Sequence, residues 1–256
     1  MSSTPAFPDL SGQHVFVTGA ARGLGRSVAE KLASCGATVA VTDIDAAGCG
    51  EVVKAIRAAG GAALAYPVDV ALREQFMHAA AEFAKACGRI DAVVNNAMLL
   101  RYEPVEKITP ETLNRMTAIG INGSVWGAQA LLKHYDAARG GAIINMASPV
   151  AEKGFPNTAA YSLVKGAIVT LTKVLAAELG PRNVRVNAIA PGSVPTPGAI
   201  GLNDKAEYER RARTIPLRRL GREQDNAEAC AFLLSAAASF ISGEILHVDG
   251  GIAAAG

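Results

Sequence analysis

The stretch AAYSLVK (159–165) sets a phenol and an ammonium four positions apart among small and apolar residues. On a helix, positions i and i+4 share a face, so the tips of Tyr161 and Lys165 point the same way. A free tyrosine ionises near pH ~10 and is a poor base at neutral pH. A neighbouring ammonium stabilises the phenolate and lowers that value, which makes Tyr161 a usable acid/base tuned by Lys165. Ser148, thirteen positions before Tyr161, can donate to a substrate oxygen. Together they form a catalytic set for moving a proton on and off an alcohol or carbonyl oxygen. An ordinary amphipathic helix can carry the same two residues, so the assignment depends on what accompanies them.

What accompanies them is TGAARGLG (18–25), a glycine-rich turn after one apolar run and before a helical one. Gly19 permits a tight turn, while Gly23 and Gly25 let backbone and helix approach a pyrophosphate on the helix N-terminus. Asp43 closes the second apolar run 18 positions beyond Gly25, where a carboxylate can accept from both ribose hydroxyls of NAD and repel a 2′-phosphate. Arg22, within the turn, argues for NADP instead; with Asp43 present, NAD is the expected cofactor. Leu24 in the turn and Ile44 beside Asp43 are counted with this site. Asp69 can take the adenine amino group, with Val70 next to it. Asn95, Asn96 and Ala97 end the next run and complete the outline of a crevice at successive carboxyl ends of one sheet.

The elements that must position these residues are legible as alternation. Runs at 14–18, 37–43, 63–69, 90–96, 141–147, 184–190 and 245–249 read as seven strands, nearly continuous in apolar residues as in a parallel sheet buried on both faces. Between them, 24–35, 46–59, 71–87, 110–135, 158–179 and 224–236 read as helices. The expected architecture is α/β: a single-domain, doubly wound, seven-stranded parallel sheet over 1–256, with a proline-bearing insertion at about 193–222 as the substrate loop. Aromatic residues are 5% of the chain, so Ala, Val, Ile and Leu are expected to build the core. A formal charge of +2 gives no reason to expect a nucleic-acid or anionic-membrane partner. Cys35, Cys49, Cys87 and Cys230 show no zinc spacing, so no metal is expected. With no signal peptide and no apolar run of about 18 residues, the expectation is a soluble, cytoplasmic protein.

In this order, TGAARGLG, VVNNA, Ser148, YSLVK, VRVNAIAPG and the terminal VDGG resemble the short-chain dehydrogenase/reductase family from about residue 11 to 251. The resemblance implies a Rossmann fold in which Tyr161 transfers the proton, Lys165 holds the nicotinamide ribose and tunes Tyr161, and Ser148 orients the substrate. It further implies that Pro191, Gly192, Val194 and Thr196 border the nicotinamide, with Val194 and Thr196 at its carboxamide. A homotetramer formed through 110–135, 158–179 and the C-terminal strand region is also implied.

Two departures stand out. Met98 replaces a glycine that usually follows NNA, and Gly120 falls where the family places an asparagine; Asn122 would need a shift of about 200° around a helix. Glycine keeps the main-chain carbonyl and tolerates a kink. Met98, Leu99, Pro149, Val150, Phe155, Asn157 and the 193–222 segment are the expected substrate walls, suited to a modest secondary alcohol or ketone. Arg210, Arg211, Arg213, Arg218, Arg219 and Arg222, interspersed with Glu207 and Glu209, read as a solvated helix face rather than an anion site. Three functions are in play: an NAD-dependent alcohol dehydrogenase, an NADPH-dependent carbonyl reductase, and a nucleotide-binding regulatory protein with weak catalysis. The intact Ser148–Tyr161–Lys165 set argues against the third, and Asp43 favours the first over the second, which Arg22 keeps in play.

Overall fold

All seven expected strands form, with small shifts at their ends: β1 (His14–Thr18), β2 (Thr38–Asp43), β3 (Ala62–Pro67), β4 (Ala92–Asn95), β5 (Gly141–Met146), β6 (Val184–Pro191) and β7 (Ile245–Val248). The computed structural model describes residues 8–199 and 205–255, so the ends of the expected 1–256 domain and residues 200–204 of the expected insertion lie outside the described residues. Every pairing is parallel, in the order β3-β2-β1-β4-β5-β6-β7. The chain runs outward from β1 through β2 to β3, then returns to the other side of β1 as β4. The order therefore reverses between β1 and β4, where a crevice opens at the carboxyl ends of the strands.

Helices α1 (Gly23–Ser34), α2 (Ala46–Ala58), α3 (Arg73–Cys87), α6 (Ala159–Leu179) and α8 (Glu223–Leu234) match expectation. The helix expected over 110–135 is divided. α4 (Pro110–Thr117) begins at Thr109, whose side chain accepts from the Thr112 amide, with Pro110 in the first turn. A π turn over Ala118–Asn122 follows, with the Gly123 amide reaching back to the Ala118 carbonyl, and α5 (Gly123–His134) continues beyond it. A π turn inserts one extra residue per turn, and such turns mark sites where a side chain must be re-aimed. The 193–222 segment contains α7 (Lys205–Thr214), braced by Glu207 pairing with both Arg210 and Arg211 one turn on.

The sheet is packed on both faces by two clusters of buried apolar side chains, one under α1, α2 and α8, the other under α3 and α5. The largest fully buried side chains include Phe16, Phe76 and Phe83. Their rings meet with centroids 5.4 and 6.1 Å apart, so few aromatics still anchor one face of the core, contrary to an all-aliphatic expectation. The edge strand β3 alternates buried and exposed residues instead of being covered on both sides. No helix among the described residues is long and apolar enough to cross a membrane.

Candidate active site

The reversal between β1 and β4 is stitched by side chains. The Thr18 hydroxyl donates to the Val94 carbonyl and accepts from the Asn96 and Ala97 amides at 3.0 and 3.1 Å. Asn96 returns its amide to the Thr18 and Gly19 carbonyls at 2.9 and 3.0 Å. Gly19 is left-handed, at φ 65°, and a Cβ there would lie 2.8 Å from the Ala97 Cα, so only glycine fits. A cleft of about 500 Å³ opens above this stitch. It is lined by Gly19, Arg22, Gly23, Leu24, Asp43, Ile44, Asp69, Val70, Asn96, Ala97, Pro191, Gly192, Val194 and Thr196, together with Ser148, Tyr161 and Lys165.

Two turn residues sit elsewhere. Gly25 is buried beneath the turn: a Cβ there would lie 2.1 Å from the Gly19 carbonyl, so its small size lets α1 pack against the turn. Asn95 points away from the crevice, because successive side chains on a strand face opposite ways. Its amide donates to Asn145, which donates to Thr172 on α6.

At the glycine end, the Asp43 carboxylate accepts from the Ala21 and Asp45 amides, which fixes its orientation. Arg22 precedes α1 and forms no side-chain capping bond, leaving first-turn amides of α1 directed at the cleft. Asp69 is engaged by Arg115 at 2.9 Å.

At the other end, Lys165 is buried and donates to the Met146 carbonyl that ends β5. Burial lowers its ammonium to about 8. Its Nζ lies 5.5 Å from the centre of the Tyr161 ring. The expected lowering of the Tyr161 phenol does not occur here. Burial drives it above its ordinary value, Tyr102 adds to the rise, and a hydrogen bond from Ser148 opposes both. Removing a phenolate from water outweighs the help of an ammonium already committed to a carbonyl.

A family model described as enoyl-(acyl carrier protein) reductase matches residues 19–253. The cis-4-hydroxycyclohexanecarboxylate dehydrogenase of Sinomonas cyclohexanicum is 38% identical over 243 residues, covering 93% of this chain and 95% of that protein. The chain belongs to the short-chain dehydrogenase/reductase family. Among solved members, the 3-ketoacyl-(acyl-carrier-protein) reductase of Brucella melitensis with NADH superposes with a TM-score of 0.89 at 34% identity, covering 96% of this chain and all of that one. The gluconate 5-dehydrogenase of Burkholderia cenocepacia with NADP and tartrate gives 0.91 at 32%, covering 97% and 98%.

Against this short-chain dehydrogenase/reductase background, the two departures prove to be neighbours. A Cβ on Gly120 would lie 2.4 Å from Val164 Cγ1 and 3.0 Å from the Met98 sulfur. Gly120 is buried within the π turn, whereas Asn122 is exposed. The Gly120 carbonyl accepts from the Ser124 hydroxyl at 2.7 Å. Met98 and Val164 thus fill the space beside Gly120, and Val164 immediately precedes Lys165.

The expected substrate walls separate. Met98 and Leu99 line the cleft, whereas Val150, Phe155 and Asn157 line a second hollow beside it. The arginines separate too. Arg210, Arg213, Arg218, Arg219 and Arg222 are exposed, but Arg211 lines the cleft, so the solvated-face reading fails for that one residue. Tyr102, Arg115 and Ile119 also line the cleft and were not anticipated, while Tyr208 reaches it from the expected 193–222 segment. For Tyr102, the available signal was its place in the loop that follows β4 at the crevice end of the sheet, whereas Arg115 lies within α4 and carried no such signal.

Gly120→Ala is expected to cost about 1–3 kcal/mol, the usual range for overpacking, and to lower the melting temperature by several degrees. Val164→Ala in the same chain should recover more than half of the loss. Unchanged melting of the single variant, or no recovery in the double, would contradict this packing.

Proposed function

We propose that this protein transfers hydride between NAD(H) and a secondary alcohol or its ketone, with Tyr161 moving the proton. The observation that carries the reading is the convergence of Ser148, Tyr161 and Lys165 on the cleft that the glycine turn and Asp43 also line. That cleft fits a dinucleotide on three counts. Gly23 is left-handed, and a Cβ there would sit 3.5 Å from Thr196 across the opening. The first-turn amides of α1 suit a pyrophosphate. The Asp43 carboxylate suits a ribose diol and not a 2′-phosphate.

In this reading, Gly19, Arg22, Gly23 and Leu24 border the pyrophosphate, Asp43 and Ile44 the adenosine ribose, and Asp69 and Val70 the adenine. Asn96, Ala97, Pro191, Gly192, Val194 and Thr196 border the nicotinamide half, and Gly25 supports the turn from below. A bound nicotinamide supplies or accepts the hydride. Ser148 holds the substrate oxygen against the Tyr161 hydroxyl, and the phenol, kept protonated by burial, donates to that oxygen as a ketone is reduced. Lys165 provides the positive charge that offsets the phenolate left behind. Reduction of a carbon–carbon double bond, named in the matched family model, draws less support, because two hydroxyls converging on one oxygen suit a carbonyl. The reading includes cytoplasmic location and a homotetramer; Leu163 and Val174, 64% and 52% exposed on α6, supply apolar surface for subunit contact.

Tyr161→Phe should lower turnover with a panel of secondary alcohols by about 10²-fold or more, while NADH binding stays within about twofold. Wild-type protein should bind NADH more tightly than NADPH, and Asp43→Ala should narrow that gap. More than a few per cent residual activity in Tyr161→Phe would overturn the acid/base role. Equal wild-type affinity for NADH and NADPH would overturn the cofactor assignment.

A further inference from the structure

The loop that follows β4 brings a second phenol to Tyr161. The Glu103 amide donates to the Asn157 carbonyl at 2.8 Å, and Asn157 is held left-handed, at φ 64°, just before α6. Arg101 pairs with the Glu103 carboxylate at 3.1 Å. Tyr102, between these two residues, is thereby fastened beside the first turn of α6. Its ring stands edge-on to the Tyr161 ring, with centroids 5.5 Å apart. Burial raises the Tyr161 phenol and Tyr102 adds to the rise, so the two hydroxyls share a neighbourhood as their rings do. A molecule held at the Tyr161 hydroxyl therefore lies within reach of Tyr102.

Burial also raises the Tyr102 phenol, with Arg211 lowering it and Tyr208 raising it. Both of these neighbours are engaged elsewhere: Arg211 with Glu207 at 2.7 Å, and Tyr208 with the Ala199 carbonyl, to which it donates at 3.3 Å. The Tyr102 hydroxyl has no hydrogen-bond partner among the described residues, and it is not one of the polar atoms sealed inside the protein. It stays open to the cleft that its residue lines. Kept protonated by burial, it donates one hydrogen bond and accepts others. Met98, Leu99 and Ile119 give the same cleft apolar walls. An alcohol with one hydroxyl would cover Tyr102 without pairing it, and a buried hydroxyl left unpaired is costly. A second hydroxyl on the same skeleton pairs it.

We propose that Tyr102 is a specificity-determining residue, and that the substrate is a small neutral diol or hydroxyketone. Its second hydroxyl pairs with Tyr102 while its reacting oxygen lies between Ser148 and Tyr161. The substrate assignment rests on the hydride-transfer reading above; the Tyr102 contact itself does not.

The test uses the purified protein with NADH, which cannot oxidise an alcohol, and follows binding by NMR titration. The compounds are cyclohexanol and each positional isomer of cyclohexanediol. At least one isomer should bind about tenfold or more tightly than cyclohexanol. Tyr102→Phe keeps the ring against Tyr161 and removes only the hydroxyl, so it should bring that isomer and cyclohexanol within about threefold. Its melting temperature is recorded to show that it is folded. The matching methylcyclohexanol, which fills the same space without the second hydroxyl, should bind wild-type protein no more tightly than cyclohexanol. No preference for any diol, equal gain from the methyl group, or a preference kept in folded Tyr102→Phe would overturn the contact. Turnover with NAD then separates the two readings. A matching diol preference in kcat/KM supports the whole proposal. Turnover of cyclohexanol by wild-type protein without any diol preference overturns the Tyr102 assignment and leaves hydride transfer standing. Selective binding without turnover of any of these compounds keeps the contact and overturns the substrate assignment.

Discussion

An ammonium buried at the carboxyl edge of a parallel sheet is the constraint around which this site is arranged. Removing a charge from water is costly unless it is met by hydrogen bonds, and Lys165 meets that cost only partly, through the Met146 carbonyl. The remainder appears as an ionisation lowered to about 8. Holding the ammonium there requires α6 to sit at a fixed height over β5. The buried chain from Asn95 to Asn145 to Thr172 fixes that height by linking β4, β5 and α6 with side-chain hydrogen bonds of 2.9 Å. Tyr161, one turn before Lys165 on the same helix, is positioned by the same links.

The π turn belongs to this arrangement. Gly120 brings the turn against Val164, the residue before Lys165, and the Met98 sulfur borders the same space. Both departures from the family pattern therefore concern the packing that seats α6, the helix that carries Tyr161 and Lys165. At this contact, apolar volume occupies the position where the family pattern has an asparagine side chain. The main-chain carbonyl of Gly120 is retained, and Ser124 donates to it.

Much of the fold and the outline of the site were legible because they depend on local spacing. Alternating apolar runs specify strands, four residues specify a shared helical face, and a glycine turn between a strand and a helix specifies a phosphate-sized cradle. What was not legible depends on direction or on folding at a distance. Asn95 and Asn96 are adjacent in sequence, yet the pleat sends one into the core and the other to the crevice. Arg211 sits among exposed arginines, and only the folded chain brings it to the cleft. Tyr102 lies in a loop with no periodic neighbours, so nothing local announces its contact with Tyr161. The phenol's upward shift was likewise hidden, because spacing reveals which charge is near but not how much water is excluded.

The ionisation of Lys165 tests this account most directly. Lysine side chains labelled with ¹³C at Cε can be titrated by NMR, with Lys165→Met identifying the resonance. The arrangement described here predicts a midpoint near the lowered value of about 8. A midpoint at the ordinary lysine value of 10.5 would show that the ammonium is solvated, and would contradict the claim that a buried charge organises the site.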